Sequence, residues 1–532
     1  MAWGSTFKTM IARRTVTVSY YVSKIAIFGP GAEVGTPGGA TGIALSSMNA
    51  YIPTSHIRGI DPLSVQFSTE AVDLRTGTYS GGEFRFEFIW ASASDRADFY
   101  NTYTRGSPIH LALAIDGAAP IDGETLRIGV IGDISEQGRR ITVRCYDLLT
   151  LLHVRIVKAS WPVLFTSVDD AALATTIATD YTAGDATIYV SDVSAFVKDD
   201  AASYYLVEIT PDSGDPFYVK ATGTATGPDR LTGATGAQFG TTANDAAAGK
   251  AVRSVGLVEG TPFELARKVL QSTGDPGYNG VDDDLPESWG YGIDQAWVDD
   301  TDMSAWEPYV APATGAHAWS WVVTTGTENG LGDLLELFGR AGMWLCNRQG
   351  QITARAFQDL HDSPKVTAFN ITERDIIEVG STLMARDSEQ PFEVAQVKVT
   401  TSTPPAGFYP GGGPSNNRTW PIDRYFDADL SSVIWTNETA QQDAYGARLK
   451  PWFCSIPERF RVRVAGLKWM QLCCGDVVTI TAAALRGFLL SDADGCAGDV
   501  YYMVAAIRWG LPAPWVDLDL VTTPADTSDE RG

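Results

Sequence analysis

Four of the six cysteines, Cys454, Cys473, Cys474 and Cys496, fall in one β-rich stretch. Four thiolates make a ligand set for tetrahedral zinc or an iron–sulfur cluster. Cys473 and Cys474 are adjacent, however, which in a strand sends their side chains to opposite faces. No Cys-x-x-Cys pair occurs anywhere. The simpler reading is four free thiols in cores and turns, and no metal or other cofactor is assigned.

Asp282-Asp283-Asp284 and Asp299-Asp300-x-Asp302 offer oxygens to a hard cation such as calcium. Neither fits the helix–loop–helix calcium motif, with its glycine at the sixth position and glutamate at the twelfth. Asp492-Ala493-Asp494-Gly495 also fails, because the twelfth position counted from Asp492 is Met503. These runs read as solvated acidic loops. The histidines, His56, His110, His153, His317 and His361, share neither helical nor metal-ligand spacing. A Ser/His/Asp triad stays open, but no Gly-x-Ser-x-Gly elbow marks a nucleophile. With 64 acidic residues, a glycosidase pair has no identifying signal. Trp289, Trp297, Trp306, Trp319 and Trp321 form either a sugar-stacking surface or, more simply, the aromatic filling of an irregular domain or subunit interface. No catalytic, cofactor-binding or metal-binding residue is assigned, and the chain is read as a non-enzyme.

The elements that would position these residues follow from composition. A chain of 532 residues holds about three or four domains. The 52 glycines and 27 prolines, with recurrent Thr, Val and aromatics, favour β-structure with many turns. A net charge of −24 repels nucleic acid, so no stable nucleic-acid binding is expected. Arg13-Arg14 and the alternating Arg459, Arg461 and Arg463 are the exceptions, and an ion-paired strand face is the simpler account of the latter. There is no apolar run of about 18 residues, so no membrane span is expected. No secretory signal is read at the N-terminus, and the cysteine usage suits a reducing cytoplasm.

The expected fold is mainly β with an α+β middle. Residues 1–158 form an antiparallel β-barrel-like unit, with Glu83 to Trp90 as a clear alternating strand and a helix from Ser94 to Arg105 capped by Ser94. Residues 159–255 are an inserted small β-module, whose Leu231 to Thr241 run is read as turns. Residues 256–360 form an α+β, helix–hairpin domain. Its first helix starts at Thr261-Pro262-Phe263-Glu264, with a cap, a first-position proline and a capping box. Asp275 to Pro312 is read as irregular, and a second helix as running from about Gly330 to Arg340. A hairpin turning at Arg348-Gln349-Gly350 follows. Residues 361–525 form a second β-barrel-like unit, with a Gly/Pro-rich loop at Pro404 to Pro421 and a helix from Thr439 to Lys450 ended by Pro451. Residues 526–532 are read as a disordered tail. Gly446 to Val521 closes the last unit as strand, Gly475-Asp476 turn, strand, loop and two strands. Val516-Asp517-Leu518-Asp519-Leu520 places apolar and acidic side chains on opposite faces.

Taken together, these stretches resemble the tail-tip or baseplate hub proteins of long-tailed, siphovirus-like bacteriophages. Asp73 to Gly77 leading into Glu83 to Trp90, Tyr103 to Ile109, Gly129 to Ile134 and Ile141 to Asp147 are similar to their first barrel. Val190 to Phe196, Leu231-Thr232-Gly233 and Phe239-Gly240-Thr241 resemble a small β-insertion of phage tail proteins. Leu334-Leu335 to Leu345 with Gly350 to Arg355 resembles their helix–hairpin element. Gly446 to Leu472, Gly475 to Ile480 and Trp515 to Leu520 resemble the closing barrel, with Cys474 where family members often have proline. The resemblance implies a homotrimeric hub with two barrels per subunit, presenting six near-equivalent surfaces to a hexameric tail tube. It further implies a virion component at the tail tip, assembled in the host cytoplasm and opening for DNA ejection. Its partners would be the tail tube or distal tail protein ring, the tape-measure protein and the central fibre or other tail-tip proteins. A tail-associated cell-wall hydrolase and a host receptor-binding protein, contacting the host through residues 159–255 and the Trp-rich loop, are the alternatives.

Overall fold

The computed structural model describes residues 18–24, 51–52, 66–74, 77–90, 93–115, 124–149, 174–196, 204–238, 241–271, 293, 297–310, 319–323, 330–358, 360, 367–379, 396–400, 407–410, 425–430, 433–435, 438–453, 458–482, 501–510 and 515–523. Through the first unit run β1 (Val18–Lys24), β2 (Tyr51–Ile52), β3 (Gln66–Phe67), β4 (Glu70–Val72), β5 (Tyr79–Ser80), β6 (Phe84–Ile89), α1 (Ala93–Thr102), β7 (Pro108–Ile115), β8 (Glu124–Gln137) and β9 (Arg140–Asp147). Seven of these strands form a wholly antiparallel sheet in the order β2-β1-β7-β8-β9-β6-β3. Alternation drives it: Phe84, Phe86 and Phe88 face the core while Arg85 faces solvent. Helix α1 covers the inner face, with the Phe99 ring tilted against Phe88 at 4.7 Å between centroids. It begins at Ala93, so Ser94, the expected cap, lies inside its first turn.

The inserted stretch holds β10 (Ala174–Thr176), β11 (Thr187–Tyr189), β12 (Tyr205–Ile209), β13 (Phe217–Ala221), β14 (Gly223–Ala225), β15 (Arg230–Thr232), β16 (Thr235–Gln238) and β17 (Ala251–Ser254). They make a five-stranded and a three-stranded sheet around Val207, Ile209, Phe217, Val219 and Leu231, a core separate from the main one. The Gly/Thr-rich run expected to be turns therefore contributes the end of β15 and all of β16. Gly233, at φ +63°, lies where the chain passes from β15 in the three-stranded sheet to β16 in the five-stranded one.

The middle contains β18 (Gly256–Gly260), α2 (Pro262–Gln271), α3 (Asp300–Val310), β19 (Trp319–Val323), α4 (Gly330–Arg340), β20 (Met343–Arg348) and β21 (Gln351–Ala356). Thr261 and Glu264 make the capping box at α2: the Thr261 N–H donates to the Glu264 carboxylate at 3.3 Å. Helix α3 lies in the acidic stretch read as irregular, because Asp299 caps it by accepting from the Asp302 N–H at 3.0 Å. Gln349 (φ 51°) and Gly350 (φ 81°) form the tight left-handed turn of the β20–β21 hairpin.

The last part comprises β22 (Thr367–Thr372), β23 (Ile376–Val379), β24 (Gln396–Thr400), β25 (Gly407–Pro410), β26 (Tyr425–Asp429), β27 (Val433–Trp435), α5 (Glu438–Phe453), β28 (Glu458–Ala465), β29 (Val477–Thr481), β30 (Tyr501–Gly510) and β31 (Trp515–Thr522). A sheet of order β22-β29-β30-β31-β28-β23 takes β4 and β5 as further strands through β4·β30 pairing. It is antiparallel apart from β22·β29, and β24·β26 is a second parallel pair. The end strands β22 and β23 are consecutive in sequence, so the sheet curls until its ends meet at residues 373–375. No ladder joins those two strands, and no closed barrel forms among the described residues. Leu467–Gln471 is a 3₁₀ turn. Helix α5 continues past Pro451 because Trp452 is anchored beyond it, donating its indole N–H to the Gln358 carbonyl at 2.8 Å. Strand β25 falls within the Gly/Pro-rich Pro404 to Pro421 loop.

The two large sheets share one core with the hairpin and the middle helices. Between them, Ser68 and Thr69 carry the chain from β3 in one sheet to β4 in the other. Phe67 accordingly packs its ring edge-on against Trp509, 5.1 Å away.

Candidate functional site

Buried charge concentrates where the hairpin meets both sheets. Arg355, on β21 between Ala354 and Ala356, is fully buried. Its Nε and a terminal nitrogen donate to Asp476 Oδ1 at 3.0 and 2.8 Å, its other terminal nitrogen pairs with Asp302, and its guanidinium lies 4.7 Å over the Trp306 ring. Asp476 in turn accepts the Cys473 N–H at 3.0 Å, closing the turn. Gly475 permits that turn: at φ +100°, a Cβ there would meet the Arg355 Cβ at 2.7 Å. Asp302 also accepts from Arg348 at 2.5 Å and from the Thr353 hydroxyl at 2.6 Å. Burial alone would raise the Asp302 pKa, but Arg355 and Arg348 outweigh it and hold the carboxylate below its ordinary range.

On the hairpin's other side, buried Arg127 of β8 pairs with Glu70 of β4 and donates to the Asn347 carbonyl, its guanidinium 4.1 Å over the Trp509 ring. Asn347 returns a bond to the Ile128 carbonyl at 3.1 Å, and Tyr79 donates to Glu70 at 3.2 Å. Asp147 is nearly buried, and desolvation pushes its pKa up to about 6 against the pull of Arg127. At the foot of the hairpin, Arg448 of α5 donates to the Gly342 carbonyl at 3.2 Å and to the Ala341 carbonyl. It thereby satisfies carbonyls left open at the C-terminal end of α4. The buried arginines here are each answered by a carboxylate or a carbonyl, so the arrangement fastens elements together.

The residues singled out from sequence scatter. Cys473 and Cys474 are buried, with burial raising both thiol pKa values well above the ordinary range, while Cys454 and Cys496 lie outside the described residues. No group of three or more His, Cys, Asp or Glu among the described residues is arranged to hold a metal ion. Asp299 serves as a helix cap, Asp300 accepts from Gln271 at 3.2 Å, and Asp302 anchors the hairpin. Asp282, Asp283, Asp284, Asp492 and Asp494 lie outside the described residues. So do His56, His153, His317 and His361, while His110 sits on β7. Trp297, Trp306, Trp319 and Trp321 are all buried, which makes them core filling, and Trp289 is outside the described residues. Arg459, Arg461 and Arg463 are ion-paired to Asp519 and Asp517 of the neighbouring strand, as the alternation suggested. With Arg508 and Glu378, part of this face lines an open groove of about 340 Å³. Among the described residues no helix is long and apolar enough to cross a membrane.

Sequence reading missed Arg127, Glu70 and the Arg355–Asp476 pair. The available signal was a lone charge inside an apolar run: Leu126-Arg127-Ile128 and Ala354-Arg355-Ala356.

No protein-family model matches the chain, and no curated protein matches it. Solved structures do. A tail protein from Neisseria meningitidis MC58 matches at 10% identity and TM-score 0.37, over 96% of this chain and 98% of that one. The 43 kDa tail protein of prophage MuSo2 from Shewanella oneidensis matches at 10% identity and TM-score 0.32, over 96% and 99%. The E. coli c3393 protein, a component of the type VI secretion system, matches at 8% identity and TM-score 0.29, over 89% and 78%. These structures are two tail proteins, one of them from a prophage, and a type VI secretion component.

Proposed function

We propose that the chain is a structural component of a bacteriophage tail, and more narrowly a homotrimeric hub at the tail tip of a long-tailed, siphovirus-like particle. In this reading residues 1–158 and 361–525 supply the two barrel-like units, 159–255 a peripheral module and 256–360 the helix–hairpin connector. Three copies present six similar sheet surfaces to a hexameric tube or distal tail protein ring. The tape-measure protein and a central fibre or other tail-tip proteins meet its remaining faces. The hub closes the tube until DNA ejection and performs no bond chemistry. It is assembled in the host cytoplasm and carried in the virion.

The observation that best supports this is the joint between the two large sheets. The chain leaves the first sheet after β3 and β4 pairs with β30, while Arg127–Glu70 ties the two sheets to each other and Arg355–Asp476 ties the hairpin to the turn before β29. Such a joint ties two sheets from opposite ends of the chain into one core, as a ring segment that must resist being pulled apart requires. Imaging of intact particles carrying a tagged chain tests the proposal. Three copies at the distal end of the tail are expected. Density along the tube, or absence of the chain from particles, would overturn it.

A further inference from the structure

Cys346 on β20 and Cys473 at the turn before β29 place their Sγ atoms 3.7 Å apart, both wholly buried. The backbones on either side are already held together. Trp344 donates its indole N–H to the Cys474 carbonyl at 3.3 Å, and Arg348 reaches the Gln471 carbonyl at 3.5 Å. Two thiols in contact across such a clamped pair of segments have a short distance to close to the bonding value of about 2.05 Å. We propose that Cys346 and Cys473 are a cross-linking pair, a site of reversible disulfide formation that fastens the hairpin to the turn leading into β29.

The chemistry balances with a small peroxide as oxidant. One thiol sulfur attacks a peroxide oxygen, the O–O bond breaks, and a sulfenic acid and one water result. The second sulfur then attacks the sulfenic sulfur, forming the S–S bond and releasing a second water. The two electrons lost by the sulfurs reduce the peroxide. Burial keeps Cys473 a neutral thiol in the closed fold, although Arg355 beside it favours the thiolate. The pair is therefore slow to react and selects small, uncharged oxidants. Cys145 on β9 is buried among apolar residues of the first sheet.

Hydrogen peroxide treatment of the folded full-length chain tests this. The reaction is quenched by alkylation in denaturant, followed by tryptic digestion without reduction and mass spectrometry. Residues 341–348 should be recovered linked to residues 469–486, with a rise in thermal midpoint that dithiothreitol reverses. Cys474→Ser should retain the link, and Cys346→Ser should lose both link and midpoint shift. If a variant fails to fold, fragmentation of the linked wild-type peptides between Cys473 and Cys474 decides the matter, and a bridge located on Cys474 would overturn the proposal. Free or over-oxidised Cys346 and Cys473, a Cys473–Cys474 link, or links only between chains would overturn the proposal.

Discussion

Arg355 grips one oxygen of Asp476 with two nitrogens, at 3.0 and 2.8 Å, while the other oxygen of Asp476 holds the Cys473 N–H. One buried carboxylate thus serves the hairpin and the turn that starts β29. Replacing it by a neutral group leaves two guanidinium nitrogens in the core without their acceptor, and Asp302 as the remaining counter-charge. Asp476→Ala should cost about 3 kcal/mol, the lower end of the toll for removing one partner of a buried ion pair, because Asp302 still faces the guanidinium. Denaturant unfolding would read this as a lower midpoint, and a loss under about 1 kcal/mol would show that the pair does not hold the junction.

Gly475→Ala should be nearly as damaging. The position combines a left-handed φ of +100° with a Cβ contact of 2.7 Å to Arg355, and strain of this kind costs on the order of 1–3 kcal/mol before any clash is relieved. Gly138→Ala is the control: its φ of +62° is also positive, but nothing lies within 4 Å of an added Cβ. Thermal melts of the two variants should rank Gly475→Ala well below Gly138→Ala, and equal shifts would contradict the close approach.

Asp147 and Glu307 set a pH dependence. Burial raises them to about 6 and about 7, above their ordinary values. In each case the folded state binds the proton more tightly than the unfolded chain. The stabilisation is fully present below the unfolded pKa and is lost as pH rises through the folded one. Stability should therefore climb as pH falls from about 7 to about 4, by roughly 3 kcal/mol for Asp147 alone. Asp147→Asn should flatten that part of the profile, and an unchanged slope would refute the assignment.

The outer arginine ladder should matter less. Arg463 is bonded to Asp517 at 2.6 Å and Glu378 at 2.8 Å, but all three side chains are about a third exposed or more. Arg463→Ala is expected to cost no more than about 1 kcal/mol, and less in high salt. A loss comparable to that of Asp476→Ala would place this face in a buried interface.

Much of the fold was legible because it depends on local pattern. The alternation of Phe84, Phe86 and Phe88 fixes a strand whatever surrounds it, and Thr261, Pro262 and Glu264 start a helix with groups only three residues apart. The β-rich ends and the helix–hairpin middle could be read in this way. Helix α3 could not, because its acidic start looks like a loop until Asp299 turns back to cap it. The run through Pro451 was misread because the force holding the last turn of α5 comes from Gln358, far away in sequence. The buried junction was least legible of all. Arg355 and Asp476, or Arg127 and Glu70, acquire meaning only once the chain has brought distant segments together, and no spacing rule records that.

The step from β3 to β4 also has a temporal side. Ala71 pairs with Ala506, a residue that leaves the ribosome several hundred positions later. At roughly 5–20 residues per second, β4 waits on the order of tens of seconds for its partner strand. During that wait its edge and its buried-to-be Glu70 are bare, so a prematurely terminated chain carries an unfinished sheet edge open to mispairing. Strand β4 can be completed only when β30 has been made, so the step out of the first sheet is finished by a strand from the last.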